Sequence, residues 1–426
     1  MVSTDCLGRI LIAVLPARLV GEDPPCGWEY GPLPVLHDGL CAHLAMRRSH
    51  FLPAVSKVLY GTAEAPRRWH RRVSLDNGSA TLEALELQLV DAADGDRNAF
   101  VIMHLRIDDS EVLDVARFFA GRPKAPSWNL PGTELLDGVA TITWQGRAAF
   151  PFVHLKSWDA PYTLALVTPE QAPLPQVYPA EAGVPWDATD EWLFTLASRT
   201  SLADYPPHPD SHEELVGPAM NHSASWKNLV LNQGAAFVGL RPGNPFHSVC
   251  ELYVRTLYLD TLLFGILQSD RLAELAGEAT EALGSKDLPS RLGALESDLA
   301  VFRSLYWKQV LSADNRTNDL FLAFQHQHRL IPRYDRVVTE ISELNRIVQT
   351  QESRQIGSAL GILTVLGLPL GTAFSVLDVL GVHSPQGLLV AMAGTATLSG
   401  AMLLTPYGRT VLRSLRAILP GDRQGR

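Results

Sequence analysis

The residues best placed to do chemistry lie near the C-terminus. On a helix turning about 100° per residue, Gly357, Gly361, Thr364, Gly367, Gly371, Thr372, Ser375 and Asp378 share an arc of roughly 140°. Two chemistries suit such an arc. Small residues let helices approach closely, as the pairs Gly357/Gly361 and Gly367/Gly371 would. Alternatively, Gly361, Thr364, Gly371, Thr372, Ser375 and Asp378 line a water-filled path. Hydroxyls there would replace part of an ion's water shell. Asp378, repeated by symmetry, would form an acidic ring at the mouth that favours cations.

Other polar groupings are weaker. His208, Asp210, His212, Glu213 and Glu214 carry metal-binding side chains, but they sit in a Pro-rich segment without helical or strand periodicity and read as a solvated loop. His326 and His328 are one residue apart, so on a helix they face away from each other. Cys6, Cys26, Cys41 and Cys250 show no CxxC spacing and read as reduced thiols. There is no GxxxxGK[ST] loop, GxSxG elbow, HExxH or GxGxxG. No catalytic residue is assigned, and the expected protein is not an enzyme.

The elements that carry the arc are two uncharged apolar stretches, residues 356–377 and 387–404, with Asp378 the one charged residue in that interval. As helices they span roughly 33 Å and 27 Å, against a hydrocarbon core of about 30 Å. Arg346 and Arg354 precede the first; Arg409, Arg413, Arg416, Arg423 and Arg426 follow the second; the loop 381–386 has neither Lys nor Arg. This asymmetry places both termini in the cytoplasm and predicts a multi-pass protein of the plasma (inner) membrane, with the lipid bilayer as a partner. The chain carries a net charge of −9, while the segment from Arg354 onward holds six Arg against Asp378 and Asp422. A basic tail below an acidic body suits an anionic leaflet and argues against nucleic acid.

The expected fold class is α+β: an N-terminal cytosolic α/β domain (1–245), a long helical stalk (246–355), a transmembrane helical hairpin (356–404) and a basic cytosolic tail (405–426). Leu85, Leu87 and Leu89 alternate with Glu86 and Gln88, the pattern of a half-buried strand. Further strands are predicted over 10–15 (broken by Pro16), 100–107, 139–144, 162–167, 192–196 and 235–240, and a helix after Asp109-Ser110. Leu252, Leu259, Leu263 and Ile266 mark a long helix; Leu292, Leu295, Leu299, Phe302 and Tyr306 mark another. After Pro332, which kinks or begins a helix, Val337, Ile341, Leu344 and Val348 repeat at coiled-coil spacing and lead into the membrane. This seam is expected to make an oligomer contact, with intramolecular packing as the alternative.

The ensemble resembles the CorA-type divalent-cation transporters, which include the magnesium transporters. The resemblance covers the helical C-terminal part by architecture. Its closest stretch is 345–381, where Asn345, the Leu363-Thr364 pair and Pro369-Leu370 stand at corresponding places. It implies a homopentamer whose first span lines the pore, with Mg2+ or another divalent cation as the ion. The family's Gly-Met-Asn signature is missing: the region reads Val379-Leu380-Gly381-Val382-His383. The expected function is a CorA-like oligomeric channel or transporter for cations. Two alternatives are a membrane-anchored cytosolic sensor or effector in a stress or defence pathway, with the hairpin as anchor or pore, and a tail-anchored enzyme.

Overall fold

The computed structural model describes residues 7–19, 27–37, 40–76, 80–90, 98–107, 112–119, 133–136, 139–144, 147–148, 153–155, 161–178, 186–200, 208–285, 287–379, 386–387, 389–390, 393–395 and 397. The chain forms two compact units: Met1–Glu278 with Ser297–Val337, and Ala279–Glu296 with Val338–Arg426. Residues 246–355, expected as a stalk, contribute to both units.

The strands are β1 (Leu7–Leu19), β2 (Glu29–Tyr30), β3 (Val35–His37), β4 (Leu40–Ala42), β5 (Arg68–Asp76), β6 (Ala80–Leu89), β7 (Asn98–Ile107), β8 (Thr133–Leu136), β9 (Val139–Trp144), β10 (Arg147–Ala148), β11 (Val153–Leu155), β12 (Tyr162–Pro169), β13 (Met220–Ser223), β14 (Trp226–Val230) and β15 (Gly234–Gly239). The helices are α1 (Leu44–His50), α2 (Pro53–Tyr60), α3 (Val112–Phe118), α4 (Ala188–Ser198), α5 (His212–Val216), α6 (Phe246–Tyr253), α7 (Leu259–Leu283), α8 (Leu288–Leu305), α9 (Asn315–Gln327) and α10 (Leu330–Val379). A π-helical segment, Val254–Tyr258, joins α6 to α7.

In the first unit the main sheet runs β13-β14-β15-β12-β1-β7-β6-β5-β2, with β8 to β11 branching from β1. β12 and β15 pair in parallel; β1 pairs antiparallel with both β7 and β12. The apolar run 10–15 belongs at the centre because β1 is buried on both faces, which is what continuous apolar sequence serves. Pro16 does not end this strand. It pairs opposite Phe100, and β1 continues to Leu19.

Each face of the sheet has its own cover. Leu11, Ala13, Leu15, Leu85, Leu87, Val101, Met103, Ala165 and Val167 form one core with Val112, Val115 and Ala116 of α3 and Trp192, Leu193 and Leu196 of α4. The opposite face carries Arg68, Glu86, His104, Tyr162 and Phe237, which meet α7, α9 and the π segment, while α1 and α2 join through Asp260 of α7. Gly265 is required on α7: a Cβ there would lie 2.5 Å from Phe324 Cδ1 on α9.

Two sequence readings are corrected. Residues 192–196, expected as a strand, belong to α4, because Asp187 caps its N-terminus by accepting from Asp190 N at 2.8 Å. The apparent alternation of Trp192, Phe194 and Leu196 arises because α4 is buried nearly all round. Glu86 and Gln88, expected on the solvated side of a strand, are fully buried.

In the second unit, α8 lies beside α10, where Asn345 Nδ2 donates to Glu296 Oε1 at 2.7 Å. Pro332 falls in the first turn of α10, where its missing N–H costs little, so it begins the helix rather than kinking it. α10 has 50 residues and so a length of about 75 Å.

Candidate functional site

The densest polar constellation is buried under α7. Arg47 on α1 grips Asp260 on α7 through two bonds of 2.6 Å, from Nε to Oδ2 and from Nη2 to Oδ1. Tyr60 Oη, at the end of α2, donates to the same Oδ2 at 2.6 Å. Arg68 on β5 stands 3.4 Å from Asp260 Oδ1 and donates from Nε to Glu86 Oε2 at 2.9 Å and from Nη1 to Gln88 Oε1 at 3.3 Å. His104 Nε2 lies 2.7 Å from Glu86 Oε1. Leu33 closes the network, its N–H donating to Glu86 Oε2 at 2.9 Å and its carbonyl accepting from Arg47 Nη1 at 3.1 Å. The Arg, Asp, Glu and His side chains are all fully buried.

Two guanidinium cations face two carboxylates, so the network is neutral overall, which lets charge persist in a dry interior. Burial works against the Glu86 carboxylate, yet Arg68 and the His104 bond hold its pKa well below the usual range. Burial lowers the pKa of His104 despite Glu86, so the ring is neutral and its Nε2–H donates. Burial, with the negative charge of Asp260, raises the Tyr60 phenol well above its ordinary value and keeps it a donor. His104 Nδ1 and Arg68 Nη2 have no hydrogen-bond partner among the described residues. Its charged side chains are buried and paired, so this network clamps α1, α2 and α7 to the sheet.

The π segment separates this network from an aromatic cluster. Its Arg255 pairs with Glu83 at 2.5 Å and Glu251 at 3.1 Å. Its last residue, Tyr258, stacks on His222 (5.3 Å, 12°) and Phe237 (5.8 Å, 5°). Burial, and then Arg316, lower the His222 pKa to about 4. Asn228, on the same strand as Trp226 and fully buried, has no partner for either polar side-chain atom among the described residues.

A third cluster sits on α4. Asp190 Oδ1 accepts from Lys227 Nζ at 2.7 Å, and Oδ2 lies 2.9 Å from His212 Nε2. Trp186 stands edge-on to His212 at 5.1 Å. An Asp-oriented, partly exposed His is the geometry of a general base, yet no nucleophile is bonded to it among the described residues.

The sequence-derived candidates fall as follows. His208 and Asp210 are exposed and 3.5 Å apart, while His212 turns to Asp190. No group of three or more His, Cys, Asp or Glu able to hold a metal occurs among the described residues. Cys250 is free and buried; Cys6 and Cys26 lie outside the described residues. Val337, Ile341, Leu344 and Val348 are buried within one chain, at 3%, 3%, 3% and 6% exposure. These four residues are thus packed within the chain.

Gly371, Thr372, Ser375 and Asp378 are exposed on α10, and Gly361 and Thr364 lie on the same helix with burial outside the description. Among the described residues no helix is long and apolar enough to cross a membrane. Most side chains of 356–377, and much of 387–404, fall outside that description, as does the tail 405–426.

No family model matches the chain, and no curated protein and no solved structure is significantly similar to it.

Proposed function

We propose that the chain is a membrane-anchored sensor or effector, with its sheet-bearing unit and both termini in the cytoplasm and residues 356–377 and 387–404 forming a two-helix hairpin in the plasma (inner) membrane. One observation carries this reading. Along the single helix α10, apolar residues pass from buried (Ile341 and Leu344, 3%) to openly exposed (Ile356 67%, Leu360 63%, Phe374 59%, Val379 85%). Large apolar side chains exposed in this number on one helix mark a surface that water does not cover. The lack of charge from 356 to 377, followed by a basic tail, supports lipid as the cover. The test is alkaline extraction and flotation: the full chain should stay with the membrane, and a chain stopped before residue 355 should not. Release of the full chain by alkali overturns the reading.

A second reading is cation conduction by an oligomer, a pentamer if the CorA resemblance holds, with Mg2+ or another divalent ion as cargo. It is favoured by the small-residue arc, where a Cβ added at Gly357 or Gly371 meets nothing within 4 Å. Asp378→Asn should then lower cation flux into proteoliposomes more at low salt than near 1 M, where the Debye length falls to about 3 Å. Unchanged flux removes Asp378 from the path.

A further inference from the structure

Strands β13 and β14 carry two buried polar side chains that the packing does not use. Asn228 is 0% exposed, and neither its amide oxygen nor its amide nitrogen has a hydrogen-bond partner among the described residues. His222 is 8% exposed, and its Nε2 has no partner there either. Buried polar groups are nearly always paired, and an apolar side chain of similar size would fill the place of Asn228 without the desolvation cost. Stability alone therefore does not explain a carboxamide at this position.

Both side chains belong to one aromatic group. Asn228 pairs across from Phe237 on β15, so the two side chains share a face of the sheet, and Trp226, two residues earlier on β14, shares it as well. The His222 ring lies 4.9 Å from Trp226 and 5.3 Å from Tyr258, and Tyr258 lies 5.8 Å from Phe237. Tyr253, tilted on Tyr258 at 5.6 Å, is partly exposed and brings the group to the surface. α9 packs on β14 and on the π segment, so it walls the same face.

Aromatic rings beside a carboxamide suit a flat heterocycle: the rings take its faces and the amide reads its edge. A carboxamide presents a donor beside an acceptor, the complement of the amino group and N7 of adenine. The charges that reach His222 are Arg316, Asp314 and Asp319, one cation against two acids, and Asp314 already caps α9 by accepting from Thr317 N. This balance does not favour a phosphate.

We propose that Asn228 and His222, with the rings of Trp226 and Tyr258, bind a neutral adenine-type base, free or within a nucleoside. The amide holds the base edge and His222 Nε2 makes a further hydrogen bond. Asn228 is fully buried, so the base enters only when Tyr258 swings away from Phe237. Tyr258 ends the π segment, and such segments recur at functional sites. The site lies wholly in the sheet-bearing unit and does not depend on the hairpin. The plainer account is one internal water on Asn228, which predicts no response to any base.

The experiment is calorimetric titration of the full chain in detergent with adenosine and with guanosine, whose N7 and O6 offer acceptors only, beside thermal unfolding. Adenosine should bind about tenfold tighter than guanosine and raise the melting temperature. Asn228→Val should raise the melting temperature of the free chain yet weaken adenosine about tenfold or more. His222→Phe keeps a ring in the stack and should also weaken adenosine. No heat with adenosine, equal affinity for both nucleosides, or full affinity in Asn228→Val overturns the proposal. If Asn228→Val fails to fold, His222→Phe decides, and unchanged affinity there overturns it.

Discussion

Replacing Asp260 by Asn should be among the most damaging single changes in the sheet-bearing unit. The substitution keeps the shape but removes one of the two carboxylates that balance Arg47 and Arg68 in a site where all of these groups are fully buried. Removing one partner of a buried ion pair costs about 3–5 kcal/mol, because the other charge stays desolvated. The Tyr60 hydroxyl exchanges a charged acceptor for a neutral one, which adds about 1 kcal/mol. At about 2–4 °C per kcal/mol for large domains, the melting temperature should fall by roughly 8–24 °C. Arg47→Met should do similar harm. The pair Arg47→Met with Asp260→Leu should cost less than the two singles together, since it removes both charges at once. The assay is thermal unfolding followed by tryptophan fluorescence in one detergent at one scan rate. Single changes that shift the midpoint by less than about 2 °C, or a double change that simply adds, would show that the network does not clamp α1 and α7 to the sheet.

Stability should also fall with acid in a window set by histidines. Burial holds His222 and His328 down to about 4 and lowers His50, His104 and His247. Above about pH 6.5 these rings are neutral folded or unfolded; below it the unfolded chain takes up protons that the folded one refuses, so each ring removes up to about 1.4 kcal/mol per pH unit down to its folded pKa. A melting temperature flat between about pH 6.5 and 5 would contradict this. Ile341→Asp or Leu344→Asp should lower thermal stability by several kcal/mol through burial of an unpaired charge and leave the oligomer mass in detergent unchanged; a change of mass alone would restore the seam as an intermolecular contact. Asn228→Val should raise stability by about 1–3 kcal/mol, because it removes a buried amide with no partner among the described residues; a loss on equilibrium unfolding would show that the amide is satisfied.

Much of the sheet could be read from the sequence, because periodicity is a local signal. β6, β7, β9, β12 and β15 fall where alternation or apolar runs place them. α4 could not, since an almost wholly buried helix has no polar face to reveal its period. The buried network was illegible for a different reason. Arg47 and Asp260 are 213 residues apart, and no spacing rule links them. Glu86 and Gln88 looked solvated because a polar residue alternating with leucine usually is. Two covered faces made them core, and a clue was the recurrence of Arg68, Glu86 and His104 within three neighbouring strands. The proposed hairpin is read from the sequence alone; the structure gives helix α10, which runs through the first stretch to Val379.

The most direct test of the membrane hairpin is sidedness of labelling in a chain with its native cysteines replaced and single cysteines placed at Ser384 or Ser414. In intact cells an impermeant thiol reagent should modify Ser384→Cys from outside and leave Ser414→Cys untouched until the membrane is opened. Labelling of neither position before lysis and both after it, or the reverse sidedness, contradicts a hairpin with both termini in the cytoplasm.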